Sequence, residues 1–421
     1  MTRQTVVMVT TSYPRFPGDT VGTFMEPIAR GVAARGHKVH VVAPWHPLIK
    51  RASVENGIHF HFFRYMPLPS LNVFGYASAL KNDTDLRPSA YAAAPFALFA
   101  GWRAAQKVAK THGATIMHGH WVIPGGVIAA TAAGTIPVIL SLHGSDIFVA
   151  EHHGLARRAA KFAFQRAAWV TACSSNLRQR AMVLGARENR IEVLPYGVDG
   201  DRFKPDASAR ARVRHKLNIS ADQPMVFMAG RLVRKKGFGS LLKAAVRLIP
   251  NWPSLQVIIA GIGDLDGELR AEVTSLNLNN NVQFTGKLPQ DDIPGYLTAA
   301  DLVVVPSIQD DAGNVDGLPN ILMEALASET AVVTTKVGGI DAVAVDGRTA
   351  LVVPPNDGLA LAMAIENLLK NPSRRSELGQ TARTEVCNNY QWTQFASRLD
   401  EIYSEAVARN INDRVSELSP S

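Results

Sequence analysis

Two short segments of the sequence combine residue types that can do chemistry, and the first can bind an anion. Gly230-Arg-Leu-Val-Arg-Lys-Lys-Gly237 follows an apolar strand pattern and places its cations next to the start of a helical pattern. Cations are unfavourable there because a helix start is already positive, and a broken local rule is typical of a functional site. We therefore expect Arg231 and Lys236 to hold an anion together with backbone N–H groups. Arg234 and Lys235 are expected to face water.

The second segment, Asp316-Gly-Leu-Pro-Asn-Ile-Leu-Met-Glu324, places two carboxylates around another helix start. Pro319 or Asn320 can open this helix, so that Glu324 lies about one turn inside it. Asp316 precedes the helix, and both carboxylates can accept hydrogen bonds from hydroxyls. The two segments together describe a pocket for a ligand with phosphate groups at its centre and hydroxyls at its ends. A nucleotide sugar has this chemistry.

The elements that must position these residues alternate short β-branched runs with longer helical patterns. This alternation is typical of βα units on a parallel sheet, and several strand patterns are continuously apolar, as in strands covered on both faces. The scheme repeats on either side of a turn-rich segment at residues 196–205. We therefore predict the α/β class, with two Rossmann-like, doubly wound domains that face each other across a cleft. Their predicted limits are residues 1–200 and 201–389.

Composition and charge limit the class of protein. The chain has 421 residues, of which 47% are hydrophobic and 19% are charged, as expected for a folded protein of two domains. Residues 1–200 contain 21 Lys and Arg against 10 Asp and Glu, whereas the remainder contains 23 against 26. A basic half suggests an anionic partner, either membrane lipid or nucleic acid. A solvated basic surface that keeps the protein dissolved explains it equally well.

The location follows from cysteine usage and from the N-terminus. Cys173 and Cys387 are far apart and form neither a disulfide framework nor a metal-binding spacing, which favours a reducing compartment. The N-terminal apolar run is too short for a signal peptide, and no apolar run of about 18 residues occurs. We expect a cytoplasmic protein.

The two segments carry a family resemblance that extends over essentially the whole chain. Gly230–Gly237 looks like the donor-phosphate motif of the retaining GT-B glycosyltransferases of the large bacterial family 4, also called glycosyl transferases group 1. Asp316 and Glu324 look like the family's Glu-x7-Glu motif, with Asp in place of the first Glu. The resemblance implies transfer of a glycosyl group from a nucleotide-diphosphate sugar to a hydroxyl acceptor, either a glycan or a lipid-linked saccharide. It also implies retention of the anomeric configuration, without a metal or another cofactor.

The resemblance also implies roles for individual residues. Arg231 and Lys236 would bind the diphosphate and neutralise charge on the leaving nucleotide. Glu324 would hold the ribose hydroxyls and Asp316 the donor sugar, although the shorter Asp leaves the identity of that sugar open. The other residues expected to line the donor site are Gly230, Gly261, Leu288, Gly317, Leu318, Pro319 and Asn320.

The N-terminal half contains two further elements similar to those of the family. A loop at residues 11–23 contains Gly22, where backbone can approach the donor phosphate. His143-Gly-Ser-Asp146 resembles a His-Gly-x-Asp element whose His lies beside the reacting sugar. His143 can alternatively be a satisfied histidine at the edge of the core, and Asp146 can cap the segment that follows. A C-terminal helix at about residues 390–410 would pack back on the N-terminal domain, as in the family.

Three other functions remain open at this point. A sugar-nucleotide epimerase with the same fold would use the same pocket without an acceptor. His118-Gly-His120 closes another strand pattern and could bind zinc in a hydrolase, although no partner at a motif-like spacing supports a metal site. A two-domain sugar-binding protein would bind the ligand without turning it over.

A stretch at residues 60–110 mixes aromatic residues with Lys and Arg. This composition is typical of a surface helix that lies on anionic lipid, although aromatic residues at helical spacing also fit a protein core. The expected partners are a nucleotide sugar, a hydroxyl acceptor and an anionic membrane surface, and no nucleic acid. The membrane contact would place the protein on the inner face of the cytoplasmic membrane.

Overall fold

The computed structural model describes residues 3–76, 80–81 and 85–418 of the chain. Two compact units are present, each with its own parallel sheet. The first unit joins Met1–Pro195 to Trp392–Ser421, and the second unit is Tyr196–Gln391.

The first unit contains an eight-stranded sheet and a separate pair of short strands, with helices between many of the strands. Its strands are β1 (Thr5–Val9), β2 (Lys38–Pro44), β3 (Val54–Glu55), β4 (Ile58–Phe63), β5 (Leu80–Lys81), β6 (Asp85–Leu86), β7 (Ile116–His120), β8 (Val138–Leu142), β9 (Ala167–Ala172) and β10 (Ile191–Val193). The helices are α1 (Met25–Ala34), α2 (Pro88–His112), α3 (Val127–Ala132), α4 (Ser145–His152), α5 (Gly154–Arg166) and α6 (Ser175–Val183). The sheet order is β10-β9-β8-β7-β1-β2-β4-β3, while β5 and β6 form a separate pair.

The chain forms this sheet because its inner strands are apolar on both faces. All five residues of β8 are buried, as are four of the five residues of β1, as parallel strands between helix layers require. The other pairings of this sheet are parallel, whereas the edge strand β3 runs antiparallel to β4. The long helix α2 buries a face of small residues, including Ala93, Ala97 and Gly101.

The second unit has a six-stranded sheet in the order β13-β12-β11-β14-β15-β16, in which every pairing is parallel. Its strands are β11 (Met225–Ala229), β12 (Gln256–Ala260), β13 (Val282–Gly286), β14 (Leu302–Val305), β15 (Val332–Thr335) and β16 (Leu351–Val353). Its helices are α7 (Ala207–Lys216), α8 (Phe238–Leu248), α9 (Asp266–Ser275), α10 (Ile293–Ala299), α11 (Asn320–Ala327), α12 (Gly358–Lys370) and α13 (Pro372–Asn389).

The last helix, α14 (Trp392–Leu418), belongs to the first unit and packs against α1. Asp400 is buried on α14 and accepts a hydrogen bond from Arg35 Nε at 2.7 Å. His37 Nε2 lies 3.0 Å from the other oxygen of Asp400. A buried carboxylate with two such partners is well satisfied, so these contacts fix α14 on the first unit.

The two Rossmann-like sheets confirm the predicted fold class. Three strand patterns of the sequence, Ile58–Phe63, Val138–Leu142 and Met225–Ala229, form strands over those residues. The facing of the two domains across a cleft stays a prediction. Among the helices of residues 3–76 and 85–418, none is both long and apolar enough to cross a membrane.

Candidate functional site

One edge of the second unit's sheet collects most of the predicted donor-binding residues. Since all its strands run parallel, their carboxyl ends lie along the same edge, which is where open α/β sheets bind ligands. Gly230 follows the last residue of β11, Gly261 follows β12, and Leu288 lies two residues beyond β13. Asp316 lies in the loop after β14, four residues before the start of α11.

Two glycines allow the backbone to pack closely at this edge. Gly237 has a φ of +76°, and a Cβ atom there would lie 1.9 Å from the carbonyl oxygen of Pro306. Gly261 has a φ of +148°, and its Cβ would lie 1.8 Å from the carbonyl oxygen of Gly230. Side chains are excluded at both positions by conformation and by space. The cation segment therefore folds tightly against the loops that follow β12 and β14.

The buried Asp316 forms an ion pair with the partly buried Lys236 at this edge. Lys236 Nζ lies 2.9 Å from Asp316 Oδ2, and Lys235 Nζ lies 3.8 Å from Asp316 Oδ1. Ser307 Oγ also donates a hydrogen bond to Asp316 Oδ2 at 3.0 Å. Burial by itself raises the pKa of Asp316, but Lys236, Lys235 and the hydrogen bonds outweigh it, so the pKa lies below its usual value. Asp316 is therefore an ionised carboxylate in this site.

The structure corrects the prediction for one of the four cations. Lys235 was expected to face water but is only 6% exposed, because the turn that carries it lies under the loop after β14. Ile308 N donates a hydrogen bond to the carbonyl oxygen of Lys235 at 2.9 Å and holds the turn there. Arg234 is exposed as expected and pairs with Glu268 at 3.2 Å. Arg231 is also exposed, at the start of the same segment.

Glu324 lies on α11 in a largely buried position. Its desolvation raises the pKa to about 7, although Arg202 and a hydrogen bond from Gln290 act in the opposite direction. Gln290 Nε2 donates this bond to Glu324 Oε1 at 3.3 Å. A ligand whose hydroxyls donate hydrogen bonds to this carboxyl group would stabilise its ionised form.

The backbone N–H groups at the start of α11 can bind a group from outside the helix. Pro319 is its N-cap residue, and no side chain caps the helix. Gly317, Leu318 and Pro319 are buried, while Asn320 is half-buried. The start of α8 likewise has no side-chain cap. Uncapped helix starts attract anions through their backbone N–H groups and their dipole.

His143 follows β8 in the first unit and lies among aromatic rings. Its Nε2 is 3.1 Å from Nδ1 of His120, and its ring centre is 4.7 Å from that of Phe24 and 4.6 Å from that of Trp121. Burial lowers the pKa of His143 well below the ordinary value, with a smaller contribution from His118. His143 is therefore neutral at physiological pH and can act through hydrogen bonds rather than charge.

Gly22 and Asp146 flank this region of the first unit. Gly22 has a φ of +65° and lies two residues before Phe24, whose ring contacts His143. Asp146 Oδ2 accepts a hydrogen bond from Val122 N at 2.6 Å, and its Oδ1 accepts one from Gly144 N at 2.9 Å. These bonds give Asp146 a structural role in holding the backbone before α4, and a cap on the segment that follows stays a prediction.

The histidine pair considered for zinc does not form a metal site. His118 Nδ1 lies 2.7 Å from the Tyr403 hydroxyl, and His118 Nε2 lies 2.8 Å from Ser141 Oγ. Both ring nitrogens are therefore engaged with other side chains, and a zinc ligand needs one of them. Because Tyr403 lies on α14, His118 instead helps to hold that helix on the first unit.

The sequence did not indicate four residues that contact or influence the predicted site residues at this edge: Lys235, Ser307, Gln290 and Arg202. Ser307 and Gln290 are ordinary polar residues in loops, and only their contacts with Asp316 and Glu324 distinguish them. One signal was available for Ser307, since it follows β14 and Pro306 and so stands at a strand's carboxyl end. Arg202 lies in the turn-rich segment at residues 196–205, and no pattern in that segment distinguishes it.

Comparison with known proteins decides the family. The profile of "Glycosyl transferases group 1" matches residues 209–385, and that of "Glycosyltransferase Family 4" matches residues 21–202. The GDP-mannose-dependent alpha-(1-6)-phosphatidylinositol monomannoside mannosyltransferase of Mycolicibacterium smegmatis is 32% identical over 276 residues, 65% of this chain and 72% of the relative. The chain belongs to the group 1 glycosyltransferases.

Two further matches extend over nearly the whole of this chain. A Mycobacterium tuberculosis mannosyltransferase with the same description is 26% identical over 411 residues, 96% of this chain and 99% of the relative. The crystal structure of Anabaena HepE in complex with UDP matches with a TM-score of 0.75 and 20% identity, and covers 95% of this chain and 99% of that one. The fold is thus GT-B, as predicted, and the comparisons do not favour the epimerase, hydrolase or sugar-binding alternatives.

Proposed function

We propose that this glycosyltransferase moves a glycosyl group from a nucleotide-diphosphate sugar to a hydroxyl acceptor, with the donor bound at the sheet edge of the second unit. The observation that supports this site best is the ion pair of Lys236 and Asp316, in which Lys236 precedes the start of α8 and Asp316 precedes the start of α11. Fixed cations and helix starts suit a diphosphate. Carboxylates next to them suit the hydroxyls at either end of the donor.

In this proposal Arg231 and Lys236 bind the diphosphate, and Glu324 accepts hydrogen bonds from the ribose. Asp316 faces the donor sugar and keeps Lys236 in place. The bond between the anomeric carbon and the phosphate oxygen breaks, and the acceptor oxygen forms the new bond to that carbon. The acceptor proton passes to the departing phosphate, whose negative charge the cations stabilise.

Retention and metal-independent transfer are part of the same proposal. The cations and the two helix starts supply positive charge of the kind that a metal ion supplies in other phosphate sites, so the leaving group needs no metal. Attack on the face from which the phosphate departs would retain the anomeric configuration. His143 would lie beside the reacting sugar as a neutral hydrogen-bonding group.

The relatives point to a first choice of substrates. Two of them are described as GDP-mannose-dependent mannosyltransferases that act on a phosphatidylinositol monomannoside. We therefore propose GDP-mannose as the first donor to test, and a lipid-linked saccharide as the first class of acceptor. A glycan acceptor would use the same donor site.

A surface of the first unit supports work at a membrane. On α2, exposed residues three or four positions apart share one face: Phe96, Phe99, Arg103, Lys107 and Lys110. The two phenylalanines are 56% and 59% exposed. Aromatic side chains followed by cations on one helix face suit an anionic lipid surface. We propose that this face holds the enzyme at the inner face of the cytoplasmic membrane, next to a lipid-linked acceptor.

Thermal unfolding of the purified protein with UDP-, GDP-, ADP- and dTDP-sugars, in the presence of a chelator, tests the donor proposal. A ligand at a hundred times its dissociation constant adds about 2.7 kcal/mol of stability. We expect one nucleotide class to stabilise the protein, with GDP first, and the chelator to leave this effect unchanged. The absence of stabilisation by all four donors would contradict the proposed site.

A further inference from the structure

Four histidines of the first unit gather where the end of α2 meets the sheet. His40 lies on β2, His59 and His61 lie on β4, and His112 is the last residue of α2. The parallel register pairs His40 with His59 and Val42 with His61. Since alternate residues of a strand point to the same face, the three strand histidines share one face of the sheet.

Three of these side chains bring ring nitrogens close together. The nitrogens of His40, His61 and His112 that can bind an ion all lie within 4.8 Å of one another. His40 Nδ1 is 3.0 Å from His61 Nε2, and the ring centres of His40 and His112 are 4.1 Å apart. Around a zinc ion the nitrogens lie about 2.0–2.1 Å from the metal, so small side-chain rotations would bring all three into range.

The contact between His40 and His61 is one that a metal ion can replace. Their two ring nitrogens lie 3.0 Å apart and share one hydrogen bond, so an ion bound to both nitrogens would take the place of its proton. At His118, in contrast, hydrogen bonds with Tyr403 and Ser141 engage the two ring nitrogens separately.

We propose that His40, His61 and His112 bind one transition-metal ion of the Zn²⁺ class and thereby fasten the end of α2 to β2 and β4. A water molecule or His59, whose ring stacks on His40 at 4.7 Å, would complete the coordination. Imidazole ligands suit zinc, copper and nickel rather than magnesium or calcium. The role is structural, because a site that joins a helix to a sheet stabilises the folded unit when the ion binds.

Metal titration of the full-length chain without a polyhistidine tag tests this proposal. Co²⁺ serves as the spectroscopic probe, because its visible absorption is strong in a tetrahedral site, and Zn²⁺ serves as the competitor. We expect one equivalent of Co²⁺ to bind, Zn²⁺ to displace it, and Zn²⁺ to raise the unfolding temperature. The transfer rate is not part of the readout, so the test is independent of the donor proposal.

A pair of variants makes the test specific to the cluster. His112 is exposed at a helix end, so His112→Gln leaves the fold intact, and we expect it to weaken Co²⁺ binding by at least about tenfold. His215→Gln changes another exposed histidine, at the end of α7 in the second unit, and should leave binding unchanged. Co²⁺ binding that is absent in the unmodified chain, or that is equal in both variants, would overturn the proposal.

Discussion

Lys236 Nζ lies 2.9 Å from Asp316 Oδ2 although the two residues are eighty positions apart in the sequence. The pair joins the segment after β11 to the loop after β14, and Lys235 approaches the second carboxylate oxygen at 3.8 Å. Two cations around one buried carboxylate leave a surplus of positive charge at the sheet edge. The site is therefore already arranged for an anion before a donor arrives, which lowers the cost of ordering on binding.

Lys236 and Arg234 form a matched pair for the first prediction. Lys236→Ala removes a charged group from the proposed diphosphate site, whereas Arg234→Ala removes an exposed cation that pairs with Glu268. We expect Lys236→Ala to lower turnover by about 100- to 1000-fold, as for the loss of one preorganised charge-stabilising group. Arg234→Ala should stay within about threefold of the unmodified enzyme, since surface ion pairs contribute little. Initial rates of transfer measure both, and equal losses in the two variants would contradict the assignment.

The second prediction concerns stability at Asp316. Asp316→Asn leaves Lys235 and Lys236 without their buried carboxylate, and the loss of one partner of a buried pair costs about 3–5 kcal/mol. We expect the unfolding temperature to fall. Lys235→Met in the Asp316→Asn background should recover part of the loss because it removes a buried charge that no longer faces the Asp316 carboxylate.

A double-mutant comparison measures the coupling between Asp316 and Lys235. Thermal unfolding of the two single variants and the double variant gives the coupling directly. Additive effects of the two substitutions would show that Lys235 and Asp316 do not stabilise each other.

The sequence predicted the strands and the donor motif because both depend on local patterns. Ile58–Phe63 is rich in aromatic and branched residues, and Val138–Leu142 is an almost continuously apolar run. The cations at residues 231–236 follow a strand pattern that can be seen in the local sequence alone. The burial of Lys235 could not be predicted in this way, since it depends on the loop after β14 that covers it. The same holds for His40, His61 and His112, which only the packing of α2 on the sheet brings together.

The third prediction concerns pH and Glu324. Desolvation raises the pKa of Glu324 from 4.5 to about 7. If the ionised carboxylate accepts hydrogen bonds from the ribose, the affinity for nucleotide should fall as the pH drops below about 7. Glu324→Gln should weaken binding and remove this pH dependence. Titration calorimetry with a nucleoside diphosphate at several pH values measures both effects, and an unchanged pH profile in the variant would rule out Glu324 as its source.

The raised pKa of Glu324 also predicts that Glu324→Gln stabilises the folded protein, although the same substitution weakens nucleotide binding. A carboxyl group whose pKa is higher in the folded state binds more protons there, so Glu324 destabilises the fold progressively as the pH rises from 4.5 to about 7. Above that window the penalty is constant, with an upper limit of about 3 kcal/mol. Glu324→Gln should therefore raise the unfolding temperature of the free protein at about pH 8 and leave it unchanged near pH 4.5. A variant that is less stable at the higher pH would contradict the desolvation of this carboxyl.

The fourth prediction tests the membrane face of α2. Phe96 and Phe99 are more than half exposed, and the burial of a phenylalanine side chain contributes about 1.5–3 kcal/mol. We expect Phe99→Ser to weaken binding to vesicles that contain anionic lipid by about tenfold or more. Phe162→Ser on α5 changes a phenylalanine that is 41% exposed and serves as the matched control. Vesicle sedimentation at low and high salt measures the effect. If the unmodified protein does not bind the vesicles at low salt, the membrane proposal is wrong.

Calorimetric titration of GDP and UDP into the unmodified protein and into Lys236→Ala tests the central claim most directly. We expect one of the two nucleotides to bind the unmodified protein with one site per chain, and Lys236→Ala to weaken this binding by about tenfold or more. Arg234→Ala should bind like the unmodified protein. Binding of equal strength in Lys236→Ala would show that the diphosphate does not lie at the sheet edge of the second unit.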